Sequence, residues 1–138
     1  GLGWGIGAAV GIKLAQPDRP VVAVVGDGSF LFGAPVATLW TALTSGAPVL
    51  VVICNNACYN ATKQPLIAAY PEGYSVRLDR YVGIDLEPAP RYDILATSVG
   101  AYGERVEDPA EVLPALERGL ARVRDGQSAV LDVILAHP

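Results

Sequence analysis

Residues 21–29 have the sequence VVAVVGDGS, an apolar run rich in β-branched side chains that stops at Gly26. An apolar run without alternating polar positions is typical of a central parallel strand that helices cover on both faces. A second run of this kind, Pro48 to Cys54, stops at Asn55-Asn56. We therefore expect two buried, neighbouring parallel strands, with the polar residues that follow them at the same edge of the sheet.

The rest of the chain alternates between helical and strand patterns. The apolar side chains that recur at helical spacing between the two strands predict a helix with one buried face; they are Val36, Leu39, Trp40 and Leu43. The predicted order is helix 6–14, strand 21–25, helix 35–44, strand 48–54, helix 92–98, strand 102–106, a helix beginning near Asp108 and strand 129–135. This alternation predicts the α/β class, as an open parallel sheet flanked by helices.

One segment, from Asn55 to about Pro90, has no clear period and carries scattered glycine and proline residues. Irregular segments of this length in a compact domain are usually functional or disordered. We expect the part from Tyr59 to Pro90 to be the most mobile region of the chain, because its exposed polar backbone groups would have few partners.

The composition excludes several classes of function. The formal net charge of −4 and the lack of any basic stretch argue against nucleic-acid binding. The longest apolar run, Ala47 to Cys54, is far shorter than the ~20 residues that span a membrane. Cys54 and Cys58 are the only cysteines and His137 is the only histidine, so the ligands of a zinc site cannot be assembled.

Size and composition together suggest one domain of a larger protein. The chain has 138 residues, enough for a single domain, which we place over residues 1–138. Its hydrophobic content of 51% is high for a free-standing domain, so we expect partner domains to cover part of its surface. The chain begins at Gly1-Leu2-Gly3 with neither a methionine nor a signal-peptide pattern. We interpret it as a fragment of a cytoplasmic protein.

The residues that follow the two apolar runs have the chemistry of a metal–diphosphate site. Glycines on either side of Asp27 leave backbone N–H groups uncovered, and a helix start after them favours an anion. An acidic residue in a phosphate-binding loop would repel the ligand unless a cation lay between them. A carboxylate, an asparagine amide oxygen and a backbone carbonyl are hard oxygen ligands that suit Mg²⁺. Taken alone, Gly26-Asp27-Gly28 would also fit a tight turn with a solvated aspartate.

The joint pattern is more specific than its parts. It consists of a strand, Gly26-Asp27-Gly28-Ser29, an amphipathic helix, a second strand and Asn55-Asn56. In this pattern the chain resembles the cofactor-binding C-terminal domain of thiamine-diphosphate-dependent enzymes of the acetolactate synthase and benzoylformate decarboxylase type. The resemblance extends from Gly1 to the last strand and is densest over residues 1–62, where it includes Leu39-Trp40-Thr41-Ala42.

The resemblance implies how the chain would hold Mg²⁺ and thiamine diphosphate. Asp27, the Asn56 amide oxygen and the Cys58 backbone carbonyl would ligate the metal ion. The residues that would contact the diphosphate are Gly26, Gly28, Ser29 and Tyr59.

The resemblance also implies roles at the organic end of the cofactor. Leu2 would lie under the cofactor as an apolar wedge that enforces its bent shape. Gly1 would lie beside the backbone carbonyl that hydrogen-bonds the aminopyrimidine ring. Ala61 and Thr62 would face the substrate. Asn60 departs from the pattern, because a glycine is common there, and the stretch between the two polar motifs is slightly longer than usual.

The activity implied by the resemblance is cleavage or formation of a carbon–carbon bond next to the carbonyl of a 2-oxo acid. The glutamate that activates the cofactor would come from the N-terminal domain of a second subunit, so we expect a homo-oligomer. We predict no catalytic residue on this chain, and we expect the chain alone to be inactive.

Two other interpretations stay open from the sequence. Gly3-Trp4-Gly5-Ile6-Gly7-Ala8 fits the glycine pattern of NAD(P)-binding Rossmann domains, with Asp27 at a suitable distance to hold a ribose. That pattern requires a strand directly before the glycines, and the chain has none to offer. The other interpretation is a non-catalytic subunit that keeps the fold, against which the intact metal-ligand pattern argues.

Overall fold

A computed structural model describes residues 1–136 of the chain. In sequence order its elements are α1 (Trp4–Ala15), β1 (Val22–Gly26), α2 (Asp27–Phe32), α3 (Pro35–Thr44), β2 (Leu50–Asn55), α4 (Asn60–Ala69), α5 (Tyr74–Arg77), α6 (Tyr92–Thr97), β3 (Tyr102–Val106), a 3₁₀ turn (Pro109–Glu111), α7 (Val112–Arg124) and β4 (Ala129–Ile134). The strands form one parallel sheet in the order β1-β2-β4-β3. The predicted open parallel α/β sheet is confirmed. The prediction that β1 is a central strand buried on both faces is wrong, because β1 lies at the edge of the sheet and Val22 and Val24 are exposed.

The strand register places the ends of β1, β2 and β4 at one edge of the sheet. Gly26 pairs with Cys54, and Asn55 pairs with Ile134. The loops that follow these strands therefore begin side by side, as the parallel arrangement requires.

The core lies on both faces of the sheet, which explains the unbroken apolar sequence of β2. Val51 and Ile53 pack on the face covered by α1, α2, α3 and α6, where Phe30 and Tyr92 are fully buried. Leu50 and Val52 pack on the opposite face, under α7. Full burial of one such aliphatic side chain contributes roughly 1.5–3 kcal/mol, so β2 anchors the sheet from both sides.

The structure corrects two predicted helix faces. In α3 only Leu39 of the four predicted residues is buried, whereas Val36, Trp40 and Leu43 are at least half exposed. In α7, the helical spacing of the apolar residues predicts a buried face of Val112, Leu113, Leu116, Leu120 and Val123, but Leu113 is 66% exposed. Both helices bury small residues instead: Ala42 in α3, and Ala115 and Gly119 in α7. In α7 the absence of a side chain at Gly119 allows close approach to the sheet, because a Cβ there would lie 2.8 Å from the Leu50 side chain.

Three helices, α2, α4 and α5, lie where the sequence pattern predicts none. Helix α2 begins directly at Asp27, whereas the first helix predicted after β1 begins only at residue 35. Helix α4 lies in the segment expected to be irregular, and it contains Pro65, which obscures its period. That segment also has a small core of its own around Cys58, Tyr81 and Ile84. Its expected mobility stays a prediction.

No helix within residues 1–136 is long and apolar enough to cross a membrane.

Candidate functional site

A cleft of about 370 Å³ opens at the carboxyl edge of the sheet, between the start of α2 and the start of α4. Every residue to which the family resemblance assigns a role lines it, except Gly1. The lining residues are Leu2, Gly26, Asp27, Gly28, Ser29, Cys54, Asn56, Cys58, Tyr59, Asn60, Ala61, Thr62 and Leu135. The sheet thus brings together residues that are far apart in the sequence, as the pairing of β1 with β2 requires.

Asp27 is the most unusual side chain in the cleft. It is 2% exposed, and its Oδ1 accepts a hydrogen bond of 2.9 Å from the Gly28 N–H. Its Oδ2 is buried without a hydrogen-bond partner. Burial raises the pKa of this carboxyl, while the backbone N–H groups of Gly28, Ala57 and Cys58 act in the opposite direction. A buried carboxylate oxygen without a partner is costly, and a bound cation is the partner that would satisfy it.

The loop that carries Asn56 and Cys58 is shaped by its own asparagines. The Asn56 Oδ1 accepts from the Cys58 N–H at 3.2 Å, and the Asn55 Oδ1 accepts from the Ala57 N–H at 3.1 Å. Ala57 adopts a left-handed conformation with φ of 53°, which these bonds support.

Residues 84–86 hold the same loop from the outside. The Tyr59 N–H donates to the Ile84 carbonyl at 2.9 Å, and the Leu86 N–H donates to the Ala57 carbonyl at 2.8 Å. The loop therefore has a defined conformation, held from the sheet side and from the surface side.

Gly28 is required by the position of Tyr59. A Cβ at Gly28 would overlap the aromatic ring of Tyr59, which lies directly over the glycine. The ring also packs edge-on against Phe32, with centroids 6.1 Å apart. A side chain at position 28 would therefore displace Tyr59 from the wall of the cleft.

The first residues of the chain are tied to α2. The Gly3 N–H donates to the Ser29 Oγ at 3.1 Å, and Gly3 has a φ of 83° that favours glycine. A Cβ at Gly3 would also lie 2.7 Å from the Phe32 carbonyl carbon. This packing places Leu2, which is 56% exposed, on the rim of the cleft. Gly1 is not among the lining residues, and its carbonyl accepts from the Trp4 N–H at 3.3 Å.

Asn55 does not line the cleft, although the sequence pattern pairs it with Asn56 as part of the site. It is 3% exposed and points into the sheet, where its Nδ2 donates to Asp132 Oδ1 at 2.8 Å. Asp132 is fully buried in β4, and Arg105 Nη1 lies 3.5 Å from its Oδ2. The sequence analysis misses Asp132 and Arg105. The signal available for Asp132 is a single acidic residue inside the apolar run of β4.

Tyr92 is a second buried group that the sequence analysis misses. Its side chain is fully buried, with an edge-on contact to Phe30 at 5.6 Å between centroids, and its hydroxyl has no hydrogen-bond partner. Burial raises its pKa, as do the charges of Asp27 and Asp132. The hydroxyl therefore stays neutral beneath the cleft.

The donor set in the cleft fits a hard divalent cation. It offers one carboxylate oxygen without a partner, the Asn56 amide oxygen and backbone carbonyls, which are ligands that Mg²⁺ prefers. Within residues 1–136 no cluster of three or more histidine, cysteine, aspartate or glutamate side chains could hold a metal ion. The start of α2 at Gly28 and Ser29 also lines the cleft, and a helix N-terminus favours negatively charged groups such as phosphate.

The comparisons with known proteins show the family to which the chain belongs. The family model for the C-terminal thiamine pyrophosphate-binding domain of thiamine pyrophosphate enzymes matches residues 1–133. The acetolactate synthase large subunit of Mycobacterium tuberculosis is 40% identical over 134 residues, which are 96% of this chain and 22% of that protein. The benzoylformate decarboxylase of Pseudomonas aeruginosa is 43% identical over 63 residues, which are 46% of this chain and 12% of that protein.

A solved structure shows the same architecture. The thiamine diphosphate-dependent 4-hydroxybenzoylformate decarboxylase of Rhodococcus jostii RHA1 superposes with a TM-score of 0.71 at 26% identity, over 99% of this chain and 23% of that one. The chain spans about a fifth of the length of the curated relatives that it matches over most of its own length. Because the family model matches nearly the whole chain, this chain belongs to the family of C-terminal thiamine-diphosphate-binding domains of thiamine-diphosphate-dependent enzymes.

Proposed function

We propose that this chain holds Mg²⁺ and the diphosphate of thiamine diphosphate in an enzyme that cleaves or forms a carbon–carbon bond next to the carbonyl of a 2-oxo acid. The observation that carries the proposal is Asp27, a 2% exposed carboxylate with one buried oxygen that has no partner, in the cleft that Asn56 and Cys58 also line. Two relatives are named as an acetolactate synthase and a benzoylformate decarboxylase. These names are consistent with formation and with cleavage of such a carbon–carbon bond.

The metal ion would be bound by oxygen atoms from two loops. Asp27 would supply the charged ligand, and Asn56 and the Cys58 carbonyl would supply neutral ones. The charge of the metal would then compensate both the carboxylate and the diphosphate, which explains how an acidic residue can lie in a phosphate-binding loop. Gly26, Gly28 and Ser29 would approach the diphosphate through the backbone.

The remaining lining residues would shape the reaction site. Tyr59 would close the wall over Gly28, and Leu2 on the rim would support the bent form of the cofactor, with Gly1 beside it. Ala61 and Thr62 are exposed at the start of α4 and would face the substrate. When bound, thiamine diphosphate supplies a carbon nucleophile and an electron sink for cleavage of the bond next to the carbonyl.

The complete enzyme would need parts that lie outside this chain. We expect an N-terminal domain on a second copy of the subunit to supply the glutamate that activates the cofactor, so the functional unit would be a homo-oligomer in the cytoplasm. The large apolar side chains exposed on α3, Val36, Trp40 and Leu43, support the expectation that other protein surfaces cover this domain.

Calorimetric titration of the full-length enzyme with thiamine diphosphate tests the proposal. The expected result is tight binding in the presence of Mg²⁺, loss of binding after chelation of the metal, and loss of binding in Asp27→Ala at any Mg²⁺ concentration. Asp125→Ala is the matched control, since Asp125 is an exposed aspartate at the end of α7, on the opposite edge of the sheet. Wild-type affinity for thiamine diphosphate in Asp27→Ala would show that Asp27 has only a structural role in the loop, and it would overturn the proposal.

A further inference from the structure

A chain of hydrogen bonds runs beneath the cleft, from the middle of the sheet to the loop that carries Asn56 and Cys58. It begins at Asp132, which pairs in register with Ile53 of β2 and Arg105 of β3 and has no exposed surface. A carboxylate in such a position destabilises the fold unless hydrogen bonds compensate for its lost hydration. Its presence in an otherwise apolar strand therefore calls for a role.

The partners of Asp132 come from both neighbouring strands. Asn55 Nδ2 donates to Oδ1 at 2.8 Å, and Arg105 Nη1 lies 3.5 Å from Oδ2. Arg105 is also held by Glu107, at 2.7 Å. Burial raises the pKa of Asp132, whereas the Asn55 hydrogen bond and the Arg105 charge lower it.

The bond to Asp132 fixes the orientation of the Asn55 amide. An ionised carboxylate can only accept hydrogen bonds, so the NH₂ end of the amide must face Asp132. The oxygen end then faces the loop, where it accepts from the Ala57 N–H at 3.1 Å. With the amide reversed, an NH₂ group would oppose the Ala57 N–H, and the left-handed turn at Ala57 would lose one of its supporting hydrogen bonds.

The turn at Ala57 determines where the proposed metal ligands lie. The Ala57 N–H donates to Asn55 Oδ1, and the Cys58 N–H donates to Asn56 Oδ1. Asn56 and Cys58 line the cleft together with Asp27. A change in the Asn55 amide would therefore move Asn56 and the Cys58 carbonyl relative to Asp27, although Asn55 and Asp132 do not line the cleft.

From this network we infer that Asp132 is a positioning residue, which sets the metal-binding loop by fixing the orientation of the Asn55 amide. The inference rests on the proposed function, because it assigns Mg²⁺ to the cleft. Partners behind metal ligands are commonly needed for full metal affinity even though they do not touch the ion.

Exchange of the two side chains in the full-length enzyme tests the inference. Asn55→Asp places two carboxylates against each other, and we expect it to weaken the apparent Mg²⁺ affinity, measured by thiamine diphosphate binding, by about 10- to 100-fold. In Asn55→Asp/Asp132→Asn the amide and the carboxylate change places. The amide NH₂ then donates from position 132, and the carboxylate at position 55 still accepts from Ala57. We expect affinity to return to within about threefold of the wild type.

Two results would overturn the inference. One is wild-type Mg²⁺ affinity in Asn55→Asp, whether or not its unfolding midpoint is lowered. The other is no recovery of Mg²⁺ affinity in the exchanged enzyme. If Asn55→Asp fails to fold, Asn55→Ala removes both hydrogen bonds without a charge conflict. The same loss of Mg²⁺ affinity is expected from it, and unchanged affinity would again overturn the inference. Failure of the proposed function is distinguishable, because wild-type cofactor binding would then not depend on Mg²⁺.

Discussion

Two acidic side chains lie on the two edge strands of the sheet: Asp27 directly after β1, and Glu104 in β3. They differ in how completely hydrogen bonds within the chain satisfy their carboxylates. Glu104 accepts from the Tyr102 hydroxyl at 2.6 Å and from two nitrogens of Arg118 at 2.5 and 3.2 Å. The Arg118 hydrogen bonds hold the pKa of Glu104 below its usual value. Asp27 accepts one hydrogen bond of 2.9 Å from the N–H of its neighbour Gly28, and it has one oxygen without a partner and a pKa raised by burial.

This difference distinguishes a side chain that stabilises the fold from one that is placed to bind a ligand. The network around Glu104 is complete within the chain and fastens α7 to β3, so its role is structural. An unsatisfied buried polar group costs roughly 1–3 kcal/mol, more when it is charged, and Asp27 bears that cost in the absence of a ligand. A residue that destabilises the free domain is expected where a ligand later supplies the missing interaction.

The largest effect is expected from Asp27→Asn, which keeps the shape of the side chain and removes its charge. Apparent Mg²⁺ affinity of the full-length enzyme should fall by at least roughly 100-fold. The unfolding midpoint without cofactor should stay the same or rise, because an unpaired buried charge is removed. Calorimetry and thermal unfolding measure the two quantities. A lower midpoint with unchanged Mg²⁺ affinity would assign Asp27 to the scaffold, and the comparison would fail.

A smaller loss is expected from Gly28→Ala. The added Cβ would overlap the Tyr59 ring, so the ring must leave the cleft wall, and we expect cofactor affinity to fall by about 10- to 100-fold. Gly11→Ala is the matched control, since nothing lies within 4 Å of its Cβ position in α1 and alanine favours the helix. Equal affinities of the two variants would show that the position of Tyr59 does not matter for the site.

Leu2→Ala should affect turnover more than binding. The diphosphate and metal contacts, which dominate affinity, remain intact, whereas the support for the bent cofactor is lost. We expect kcat to fall by about tenfold with little change in cofactor Kd. Leu113→Ala, at a similarly exposed leucine on α7, serves as control. Equal losses in kcat and Kd, or no loss in kcat, would remove Leu2 from the mechanism.

The smallest effect is expected from Glu104→Gln, which should leave cofactor binding unchanged. Because the folded state lowers the pKa of Glu104, its stabilising contribution is present above the ordinary value of 4.5 and is lost as pH falls through the lower folded value. At neutral pH the variant should lower the unfolding midpoint by only about 1–3 °C, since Arg118 is partly exposed. Its midpoint should also depend less on pH in the acid range than that of the wild type. A loss of cofactor affinity would show that the two regions are coupled.

Much of the fold and of the site could be predicted because the relevant constraints are local. A strand buried on both faces needs an unbroken apolar run, and β2 fits this rule. The equally apolar run of β1 forms an edge strand that leaves Val22 and Val24 exposed. Because β1 and β2 are parallel neighbours, Asp27 and Asn56 lie at the same edge of the sheet, independently of the conformation of the connecting segments. The family resemblance extended this to Ser29, Tyr59, Ala61 and Thr62, all of which line the cleft.

The tertiary structure alone decided which way particular side chains face. Asn55 and Asn56 are neighbours of the same type, yet one points into the sheet toward Asp132 and the other into the cleft. Their spacing cannot distinguish them, because the choice depends on a partner in β4, 77 residues away. Trp40 and Leu39 in α3 differ for the same kind of reason. Periodicity predicts that a helix has an apolar face, but the elements packed against it determine which residues that face buries.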